Sequence, residues 1–307
     1  MKQKNYKVSV AISALNEEQT IAEVLRDVLA QKERGWNLKE IIVYCDGCSD
    51  STYERVLKIN DKRIKAVEGK RRIGKVARVR EAFEKFSGDI LIIFDADIKL
   101  GNENVISSLV SEFNKDPDIM FVSGNSRVFP PKTFFEKVIY TSYLVYYDAR
   151  ENLKNSHNVF GCSGACLALK HDFAKKVKIP DVINEDTYLY FTCLSLGFKF
   201  RHAKEAHVYY QLAGNLKDFV KQIYRTHPEA ISQGYQKYFG DLIKEEYKRP
   251  KLFYYKSILK VFLKNPLESF LMVLIKVACL PFFPFVSKKY RLDWYTAESS
   301  KAIFGNQ

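Results

Sequence analysis

The chain has 307 residues, 47% of them hydrophobic and 14% aromatic, which is enough for one large domain or two smaller ones and excludes a low-complexity protein. Its six cysteines are scattered through strand-like and helical segments, which excludes a small disulfide-rich secreted framework and favours a reducing cytosol. The formal net charge is +13, and residues 204–291 contribute +9 of it (16 Lys/Arg against 7 Asp/Glu), which suits a nucleic acid, an anionic membrane surface or a phosphorylated substrate.

The first hundred residues alternate strand patterns with amphipathic helix patterns. The expected strands are at residues 7–13, 40–45, 63–67 and 90–94. Asn16 is expected to cap a helix whose apolar face runs from Ile21 to Leu29. Asp50 should cap a short second helix, and residues 76–86 should form a third. This order predicts an α/β fold with a Rossmann-like, mostly parallel central sheet and helices on both faces, an architecture typical of nucleotide binding.

Two carboxylates follow the last of these strands, whose five apolar residues indicate that it is buried. Asp95 and Asp97, separated by Ala96, are costly at the end of a buried strand unless a cation meets them. In an open α/β sheet, ligands bind at that end of a strand. The pattern therefore favours a hard divalent cation held by carboxylate oxygens and substrate phosphates, as Mg²⁺ usually is. The alternative is a strand followed by an Asp-rich turn.

The second half of the sequence mixes longer helices with strands. The expected helices are at residues 105–113, 133–151 and 186–196. The expected strands are at residues 119–128, 158–169, 198–201 and 206–210. Gly161 and Gly164 lie inside one of these strand patterns, which suggests a bulge or the close approach of a ligand to the backbone. From residue 216 onward we expect the chain to be helical, basic and aromatic.

Two segments of this helical region are candidates for contact with a membrane. Residues 252–263 carry an apolar stripe bordered by lysines, and residues 270–286 form the most apolar run. That run is shorter than the ~20 residues of a spanning helix and contains Lys276, Pro281 and Pro284, so we do not expect a full crossing. We expect an amphipathic tail that lies in the membrane interface or enters it re-entrantly, with a buried core helix as the alternative.

Six groups of motifs occur in an order that resembles the family 2 inverting glycosyltransferases, enzymes of the GT-A fold that use nucleotide-diphospho-sugars. In chain order they are ISALNEEQTI, VYCDGCSDST, KRRIGKVARVREA, FDAD, VFGCSGACLAL with NEDTYLYFTCLSLGFKF, and QIYRTH. Each motif alone is weakly specific, and the resemblance rests on their common order over residues 7 to about 230. It implies a GT-A fold, and the C-terminal helical amphipathic tail expected from the residue pattern would follow it.

The resemblance implies a nucleoside pocket in the loops after the first two strands. Asn16 and Glu17 would line this pocket, although a serine replaces the proline of the family's PxxNE motif. Asp46 would contact the base or the ribose. Cys45 and Cys48 stand where the family's DDGSxD motif has Asp and Ser, and their spacing invites a redox or zinc interpretation. Zinc is poorly supported, because the chain has no second pair of this spacing.

The resemblance also implies the diphosphate and metal ligands. Arg72 and Lys75 would lie near the diphosphate, where basic side chains are favourable. Their alternative is a solvated helix start. Asp97 would bind the Mn²⁺ or Mg²⁺ cofactor, and Asp95 would contact the ribose, the metal or its water. Ala96 between them would line the donor site.

Glu185 and Asp186 match the family's ED motif at the start of an acceptor-side helix. Inversion at the anomeric carbon needs a base on the face opposite the leaving diphosphate, and a positioned carboxylate can accept the proton of the acceptor hydroxyl. The resemblance implies that Asp186 is this base and that Glu185 orients it. The alternative is that Asn184 or Asp186 caps a helix with an acidic first turn.

A last motif, Gln222-x-x-Arg225, resembles the QxxRW motif of membrane-associated polysaccharide synthases. In those enzymes the Gln and Arg contact the diphosphate or the acceptor, and the Trp stacks on the growing glycan. Thr226 replaces the Trp here, which argues against processive synthesis. Diphosphate contact by Gln222 and Arg225 is still expected.

Taken together, these features predict a metal-dependent hexosyltransferase that uses a glycan or lipid-linked acceptor. We expect residues 1–215 to be the catalytic domain, with a nucleotide-sugar half at 1–100 and an acceptor half at 101–215. Residues 216–307 would hold the protein peripherally on the cytoplasmic face of the cell membrane. If this region is part of the core instead, the protein would be cytoplasmic. No interaction with nucleic acid is expected.

Two other classes of protein stay open as alternatives. A nucleotidyltransferase usually carries a Gly-rich basic loop after the first strand, where this chain has the acidic LNEEQ. A nucleic-acid-binding protein would suit the net charge, but no zinc-finger or RNP pattern supports it.

Overall fold

The computed structural model describes residues 4–182, 184–225, 228–248 and 251–282. Within these ranges the chain forms two compact units. The first consists of residues up to 127 together with residues 162–210, and the second of residues 128–161 with the described residues from 211 onward. The units do not follow the order of the chain, because a stretch in the middle of the sequence groups with the C-terminal helices.

Eight strands in the described residues form one sheet. They are β1 (Tyr6–Ala14), β2 (Trp36–Cys45), β3 (Ile64–Glu68), β4 (Ile90–Asp95), β5 (Ile98–Leu100), β6 (Ile119–Val128), β7 (Cys166–Lys170) and β8 (Lys199–Tyr210). The order is β3-β2-β1-β4-β7-β6-β8-β5. The first four strands in this order are parallel, whereas β7 is antiparallel to β4 and β6, and β5 to β8. The predicted α/β fold is confirmed, with a parallel half and antiparallel pairs in the rest of the sheet.

Helices connect these strands and follow the last of them. In the described residues they are α1 (Ile21–Leu29), α2 (Thr52–Leu57), α3 (Lys75–Lys85), α4 (Val105–Glu112), α5 (Phe134–Glu151), α6 (His171–Lys176), α7 (Glu185–Ser195), α8 (Leu216–Arg225), α9 (Pro228–Phe239), α10 (Asp241–Tyr247), α11 (Lys251–Lys264) and α12 (Pro266–Cys279). Short 3₁₀ helices add Lys154–Ser156, Val159–Gly161 and Leu280–Phe282. The apolar face predicted for α1 is buried from Ile21 to Val28, and so are the five apolar residues of β4. The hydrophobic periodicity therefore identifies the surfaces that form the core.

The parallel pairing brings several strand ends to one edge of the sheet. Ala14 ends β1 opposite Cys45, the last residue of β2, and Cys45 lies opposite Glu68 of β3. Asp95 ends β4, which pairs with β1. β7 runs antiparallel to β4 from Cys166 onward, so the residues before β7 arrive at this same edge. The loops after β1 to β4 and the loop before β7 therefore meet there, as expected for a binding site in an α/β sheet.

The prediction that Asn16 caps the first helix is wrong. α1 begins at Ile21, with Thr20 in the N-cap position. Asn16 instead has φ +55, a left-handed conformation that Asn adopts more readily than most residues, and its side-chain carbonyl accepts the N–H of Ser49 at 2.8 Å. Between Asn16 and the helix lies a turn in which the carbonyl of Glu17 accepts the N–H of Thr20 and of Ile21.

The strand predicted at residues 158–169 is also wrong over most of its length. β7 begins only at Cys166. The side-chain carbonyl of Asn158 accepts the N–H of Phe160 at 2.8 Å and of Gly161 at 3.2 Å, which closes a turn in place of a sheet ladder.

Smaller differences concern the ends and number of strands. The strands predicted at 198–201 and 206–210 form one continuous strand, β8, and the short β5 was not predicted. Ser51 rather than Asp50 holds the N-cap position of α2, although a carboxylate oxygen of Asp50 accepts the N–H of Thr52 at 3.0 Å. The strand predicted at 119–128 is confirmed as β6.

The second unit is helical in its described residues. α5 begins with a capping box, in which Thr133 accepts the N–H of Glu136 and the Glu136 carboxylate accepts the N–H of Thr133. α11 and α12 both pack on α5, where Asp148 accepts hydrogen bonds from Ser257 at 2.6 Å and from Lys260. None of the helices described has the combination of length and apolar sequence that a membrane crossing requires.

Candidate active site

A buried carboxylate fastens the loop after β3 to the end of β2. One oxygen of Asp46 accepts the N–H of Ile73 at 2.9 Å and Nε of Arg78 at 2.8 Å, and the other accepts the N–H of Gly74 at 2.8 Å. Gly47 permits the loop after β3 to approach so closely, because it has φ +70 and a Cβ on it would lie 2.5 Å from the backbone nitrogen of Arg72 in that loop. The residue predicted to contact the nucleoside thus also holds the basic segment 71–74 in place.

Lys75, the first residue of α3, lies between carboxylates from two other elements. Its Nζ is 2.6 Å from Oδ1 of Asp95 at the end of β4 and 2.8 Å from Oε1 of Glu185 at the start of α7. It also donates to the carbonyl of Gly164 at 3.2 Å. The side chains of Lys75 and Glu185 are only 10% and 2% exposed, so each charge depends on the others for compensation. One lysine therefore joins the end of β4 to the start of α7.

Asp186 lies beside this cluster, and both of its carboxylate oxygens accept hydrogen bonds. Oδ2 accepts the N–H of Gly164 at 2.8 Å, and Oδ1 accepts the N–H of Thr187 at 2.6 Å and its hydroxyl at 3.2 Å. A Cβ on Gly164 would lie 3.2 Å from Asp186 Oδ2, 3.3 Å from Lys75 Nζ and 3.4 Å from Glu185 Oε1. The absence of a side chain at Gly164 therefore leaves room for these three charged groups. Because an ionised carboxylate has about four acceptor sites, Asp186 can still accept a substrate hydroxyl.

Burial raises the pKa of both acidic side chains at the start of α7. The pKa of Asp186 lies above its usual value, because burial outweighs the opposing effects of Lys75 and of the backbone donors. Burial raises the pKa of Glu185 as well, against the attraction of Lys75. For Lys75, burial alone would lower the pKa, but the Asp95 and Glu185 carboxylates outweigh it and hold the pKa above its usual value. The cluster thus keeps a lysine cation next to a carboxylate with increased proton affinity, as a general base requires.

Asn16 and Glu17 fasten the loop after β1 to the loop after β2. The side-chain amide of Asn16 donates to the hydroxyl of Ser49 at 3.1 Å, in addition to accepting its N–H. Glu17 is buried; its N–H donates to the hydroxyl of Thr52 at 2.7 Å, and its carboxylate accepts the hydroxyl of Thr20 at 3.0 Å. Both residues lie at the strand-end edge, and their contact with a nucleoside stays a prediction.

Asp95 and Asp97 are the candidate metal ligands. They provide carboxylate oxygens two residues apart, with Asp97 half-buried and the Asp95 side chain 28% exposed. No group of three or more His, Cys, Asp or Glu side chains in the described residues could hold a metal by itself. The pair therefore fits Mn²⁺ or Mg²⁺, which binds through one or two carboxylates and completes its shell with phosphate oxygens and water. It does not fit a closed site made by protein alone.

The other predicted site residues are distributed over both units. Arg72 is exposed in the 71–74 loop, and Ala96 is buried between the two aspartates. Gln222 lies on α8 and belongs to the second unit. Arg225 ends the same helix; its side chain, like Thr226, lies outside the described part of the structure.

Two residues of the cluster were not predicted as site residues. Arg78 lies three residues after Lys75 on α3, a spacing that puts both on one helix face, and it pairs with Asp46. Gly164 provides the N–H for Asp186 and the carbonyl for Lys75. The sequence pattern marks Gly164 as a point of close approach, but the groups that approach it come from this chain.

Known proteins resemble this chain in sequence. The sequence model described as "Glycosyl transferase family 2" matches residues 9–178. The Escherichia coli UDP-Glc:alpha-D-GlcNAc-diphosphoundecaprenol beta-1,3-glucosyltransferase WfgD is 27% identical over 192 residues, which are 62% of this chain and 70% of WfgD. The poly-beta-1,6-N-acetyl-D-glucosamine synthase of Staphylococcus aureus is 30% identical over 122 residues, which are 39% of this chain and 29% of the synthase. The match thus spans less than a third of that relative.

A solved structure shares the fold. The mannosyltransferase PcManGT from Pyrobaculum calidifontis, in complex with GDP-Man and Mn²⁺, has a TM-score of 0.59 at 18% identity, covering 93% of this chain and 79% of that one. A structural likeness at 18% identity supports the fold alone. The match to the family's sequence model covers more than half of the 307 residues and therefore shows the family. This chain therefore belongs to glycosyl transferase family 2 and is a glycosyltransferase with a GT-A fold.

Proposed function

We propose that this glycosyltransferase is a metal-dependent, inverting enzyme that moves a sugar from a nucleotide-diphospho-sugar to a glycan or lipid-linked acceptor in a single displacement. The observation that carries the proposal is the buried cluster of Lys75, Asp95 and Glu185 beside Asp186. Lys75 contacts Asp95, which lies at the strand end where a donor would bind. It also contacts Glu185, the sequence neighbour of the carboxylate that would activate an acceptor.

The relatives support this class of donor and acceptor. WfgD, by its name, uses UDP-Glc and a sugar linked to diphosphoundecaprenol. PcManGT, which shares the fold, holds GDP-Man and Mn²⁺. The two donors differ in base and sugar, so the support extends to a nucleotide-diphospho-sugar as a class.

In this proposal the donor lies along the strand-end edge. Asp95 and Asp97 hold Mn²⁺ or Mg²⁺, which when bound offsets the negative charge on the departing nucleoside diphosphate. Arg72 reaches toward the diphosphate from its exposed position, and Lys75 adds positive charge nearby while it holds Asp95. Asp46 contacts the base or ribose. Asn16, Glu17 and Ala96 complete the lining of this pocket.

Asp186 is the proposed catalytic base. It accepts the proton of the acceptor hydroxyl as that oxygen bonds to the anomeric carbon, on the face opposite the leaving diphosphate. Its two backbone donors hold the carboxylate in one orientation, and its raised pKa gives it the proton affinity for this task. Glu185 orients Asp186 indirectly, because it pairs with Lys75 and thereby fixes the start of α7.

Gln222 and Arg225 are proposed to contact the diphosphate, as their resemblance to QxxRW suggests. Both residues belong to α8 and are three positions apart. The replacement of the motif's Trp by Thr226 favours transfer of single sugars over processive synthesis.

We also propose that the protein binds peripherally to the cytoplasmic face of a membrane through α11 and α12. These helices expose many large apolar side chains, among them Leu252, Leu259, Leu263, Leu267, Phe270 and Val277, each 53–72% exposed. Lys256 and Lys264 on α11 and Lys276 on α12 supply basic groups beside them. A basic amphipathic surface binds anionic headgroups by apolar burial plus about 1 kcal/mol per basic residue. Residues 283–286 of the predicted apolar run lie outside the described residues.

A nucleotide panel tests the proposed chemistry. UDP, GDP and their sugar conjugates should raise the melting temperature only when Mn²⁺ or Mg²⁺ is present, because a ligand that binds only the native state stabilises it. Asp97→Asn should lose this metal dependence and donor turnover while keeping the wild-type melting temperature without ligand. A variant that turns over donor with a wild-type Mn²⁺ titration would refute the metal assignment.

Two further assays separate the alternatives. A nucleotidyltransferase would release pyrophosphate from a nucleoside triphosphate and a sugar phosphate. A nucleic-acid-binding protein would bind oligonucleotides with a steep dependence on salt. Residues 1–215 stay the proposed catalytic domain, and a deletion series with the nucleotide shift as readout tests that boundary.

A further inference from the structure

We propose that Arg80 on α3 is a positioning residue for the transfer reaction: it fixes the chain segment that precedes α7 and thereby the position of Asp186. Its Nε donates to the carbonyl of Ile179 at 2.6 Å, and a terminal guanidinium nitrogen donates to Oδ1 of Asp181 at 2.6 Å. The inference rests on the proposed role of Asp186 for its effect on turnover, whereas the attachment of the segment does not depend on that role.

The helix that carries Arg80 is held at both of its ends. At its start, Lys75 takes part in the buried ion cluster. At its end, Nζ of Lys175 on α6 donates to the carbonyls of Phe83 and Glu84 at 2.7 and 2.8 Å. A cation is favourable there, because the last carbonyls of a helix lack partners within the helix. Since α3 is anchored at its start and at its end, it offers a fixed support for a contact in its middle.

The Arg80 contact falls on the connection between α6 and α7. Ile179 is 5% exposed and lies six positions before Glu185, the first residue of α7. Pro180 follows it, and a proline fixes its own φ and restricts the residue before it to extended conformations. A hydrogen bond to the Ile179 carbonyl therefore constrains the direction in which the chain continues toward α7.

The two contacts of the guanidinium differ in strength. The side chain of Asp181 is 92% exposed, and ion pairs in water contribute little to stability. The carbonyl of Ile179 belongs to a buried residue, and a charged donor makes a stronger hydrogen bond than a neutral one. The positioning effect of Arg80 therefore comes from the Ile179 carbonyl.

The proposed base needs this support because proton transfer requires heavy atoms about 2.6–3.2 Å apart, and a misplacement of about 1 Å can cost about 10²-fold in rate. Lys75 holds Glu185, and the N–H of Gly164 holds Asp186. Arg80 adds a third attachment, on the segment before the helix. Its loss should let the start of α7 shift, while the strand ends that would bind the donor keep their positions.

The first measurement asks whether the attachment reaches Asp186. Amide hydrogen exchange is compared by NMR between the full-length wild type and Arg80→Met, which removes the donors and keeps an unbranched side chain. The N–H groups of Gly164 and Thr187 both bind the Asp186 carboxylate. We expect them to exchange about tenfold faster in the variant, as the loss of about one hydrogen bond implies.

Two other amide groups serve as the internal control for this measurement. The N–H groups of Ile73 and Gly74 bind Asp46 and have no contact with the segment before α7, so they should keep their wild-type exchange rates. Unchanged exchange at Gly164 and Thr187 in Arg80→Met would overturn the proposal. Equally faster exchange at all four groups would show general loosening and overturn it as well.

The second measurement separates positioning from a merely structural role. The probes are UDP-Glc and GDP-Man with Mn²⁺, and the readout is release of the nucleoside diphosphate with water as the acceptor. Arg80→Met should lower kcat about tenfold and keep the wild-type affinity for UDP or GDP with Mn²⁺. A fall of nucleotide affinity and melting temperature together with kcat would make Arg80 a structural residue and overturn the proposal.

The two measurements also separate this proposal from the proposed function. If the wild type releases no diphosphate from either sugar nucleotide, the donor assignment fails. If Asp186→Asn keeps wild-type turnover, the assignment of the base fails. In both cases the exchange rates of Gly164 and Thr187 still decide whether Arg80 holds the start of α7.

Three variants complete the test. Arg80→Lys retains a cationic donor within reach of the Ile179 carbonyl and should recover most of the lost turnover; absence of any recovery would contradict a hydrogen bond from this side chain. Lys85→Met, at the exposed end of α3, and Asp181→Asn are matched controls and should stay near wild type. A loss in Asp181→Asn as large as that in Arg80→Met would move the effect to the exposed carboxylate and overturn the assignment to the carbonyl.

Discussion

Lys75 illustrates how one buried side chain determines the geometry of this site. Its ammonium compensates Asp95 and Glu185, two carboxylates that belong to elements far apart in the sequence. Buried ion pairs need not stabilise a fold relative to apolar packing, but removal of one partner leaves the others buried without compensation. The energetic consequence of losing Lys75 should therefore exceed that of losing a surface lysine.

Lys75→Met should lower the free energy of unfolding by about 3 kcal/mol, as expected when a buried pair loses one partner. Addition of Glu185→Gln should recover part of this loss, because it removes one of the stranded charges. Urea denaturation followed by circular dichroism measures both effects. Lys85→Met, at the exposed end of the same helix, is the control and should stay near wild type. Equal destabilisation by the two lysine variants would show that the cluster is not energetically coupled.

Asp186→Asn should keep metal-dependent nucleotide binding and lose at least about 10²-fold in kcat, the lower range for a positioned general base. The proposed base would act when ionised, and the pKa of Asp186 is raised above the ordinary 3.8. Wild-type activity should therefore fall with decreasing pH through a value above 3.8, and the residual activity of Asp186→Asn should lack this dependence. A steady-state pH profile measures both.

Asp181→Asn is the matched control for this variant. Asp181 lies shortly before α7, has a side chain that is 92% exposed and pairs with Arg80, so its change should leave kcat within a factor of a few. A collapse of nucleotide affinity in Asp186→Asn would instead make Asp186 a donor ligand or a structural residue.

Among the elements, β2 shows how a buried carboxylate can tie the sheet to a helix end. Glu40 accepts hydrogen bonds from the hydroxyl of Ser9 on β1 at 2.8 Å, from the N–H and hydroxyl of Ser87 at 3.0 and 2.7 Å, and from Lys65 on β3 at 2.7 Å. Burial alone would raise the pKa of Glu40, but these donors outweigh it and lower the pKa to about 2. The ionised form is thus the one that the fold stabilises.

Glu40→Gln should cost on the order of 2 kcal/mol at neutral pH, since hydrogen bonds to charged groups contribute about 1.5–3 kcal/mol. Because the folded pKa lies below the unfolded value of 4.5, this stability is present above pH 4.5 and is lost as the pH falls toward about 2. Unfolding free energies of wild type and variant should therefore converge in acid. Glu54→Gln on the exposed surface of α2 is the control, and parallel pH curves for wild type and Glu40→Gln would contradict the prediction.

The whole chain combines a compact α/β unit with a helical unit whose α11 and α12 expose apolar side chains next to lysines. The net charge of +13 acts in the same direction, since anionic surfaces attract a basic protein over about a Debye length. An exposed apolar face of this kind marks a contact with another molecule more often than an idle surface.

We expect the full-length protein to sediment with vesicles that contain phosphatidylglycerol and to be released as the salt concentration rises, because screening weakens the electrostatic part of binding. Lys256→Glu with Lys264→Glu should reduce binding more than tenfold. The control Lys58→Glu with Lys62→Glu makes the same charge change in the α/β unit and should have a smaller effect. Protein that stays in the supernatant at low salt would remove the membrane proposal.

The sequence alone determined which helix and strand faces are buried and where carboxylates follow the strands. The buried face of α1, the buried strand β4 and the length of β6 followed from patterns with fixed local periods, which report the face that leaves water. The FDAD and ED motifs marked Asp95 and Asp186 as site candidates because short motifs carry their own chemistry. The family match over residues 9–178 bears out the recognition made from motif order.

Other features depended on contacts between distant segments. No local sequence pattern indicates that Lys75 pairs with Glu185, 110 positions later, or that Asp46 accepts the N–H of Gly74. The position of Asn16 is a further example. Local propensity assigns this residue to a helix cap, but in the structure its side chain accepts the N–H of Ser49 instead. Hydrogen bonds and ion pairs are decided by which side chains the folded sheet brings within about 3 Å of each other, and such proximity arises from the packing of the whole unit rather than from sequence spacing.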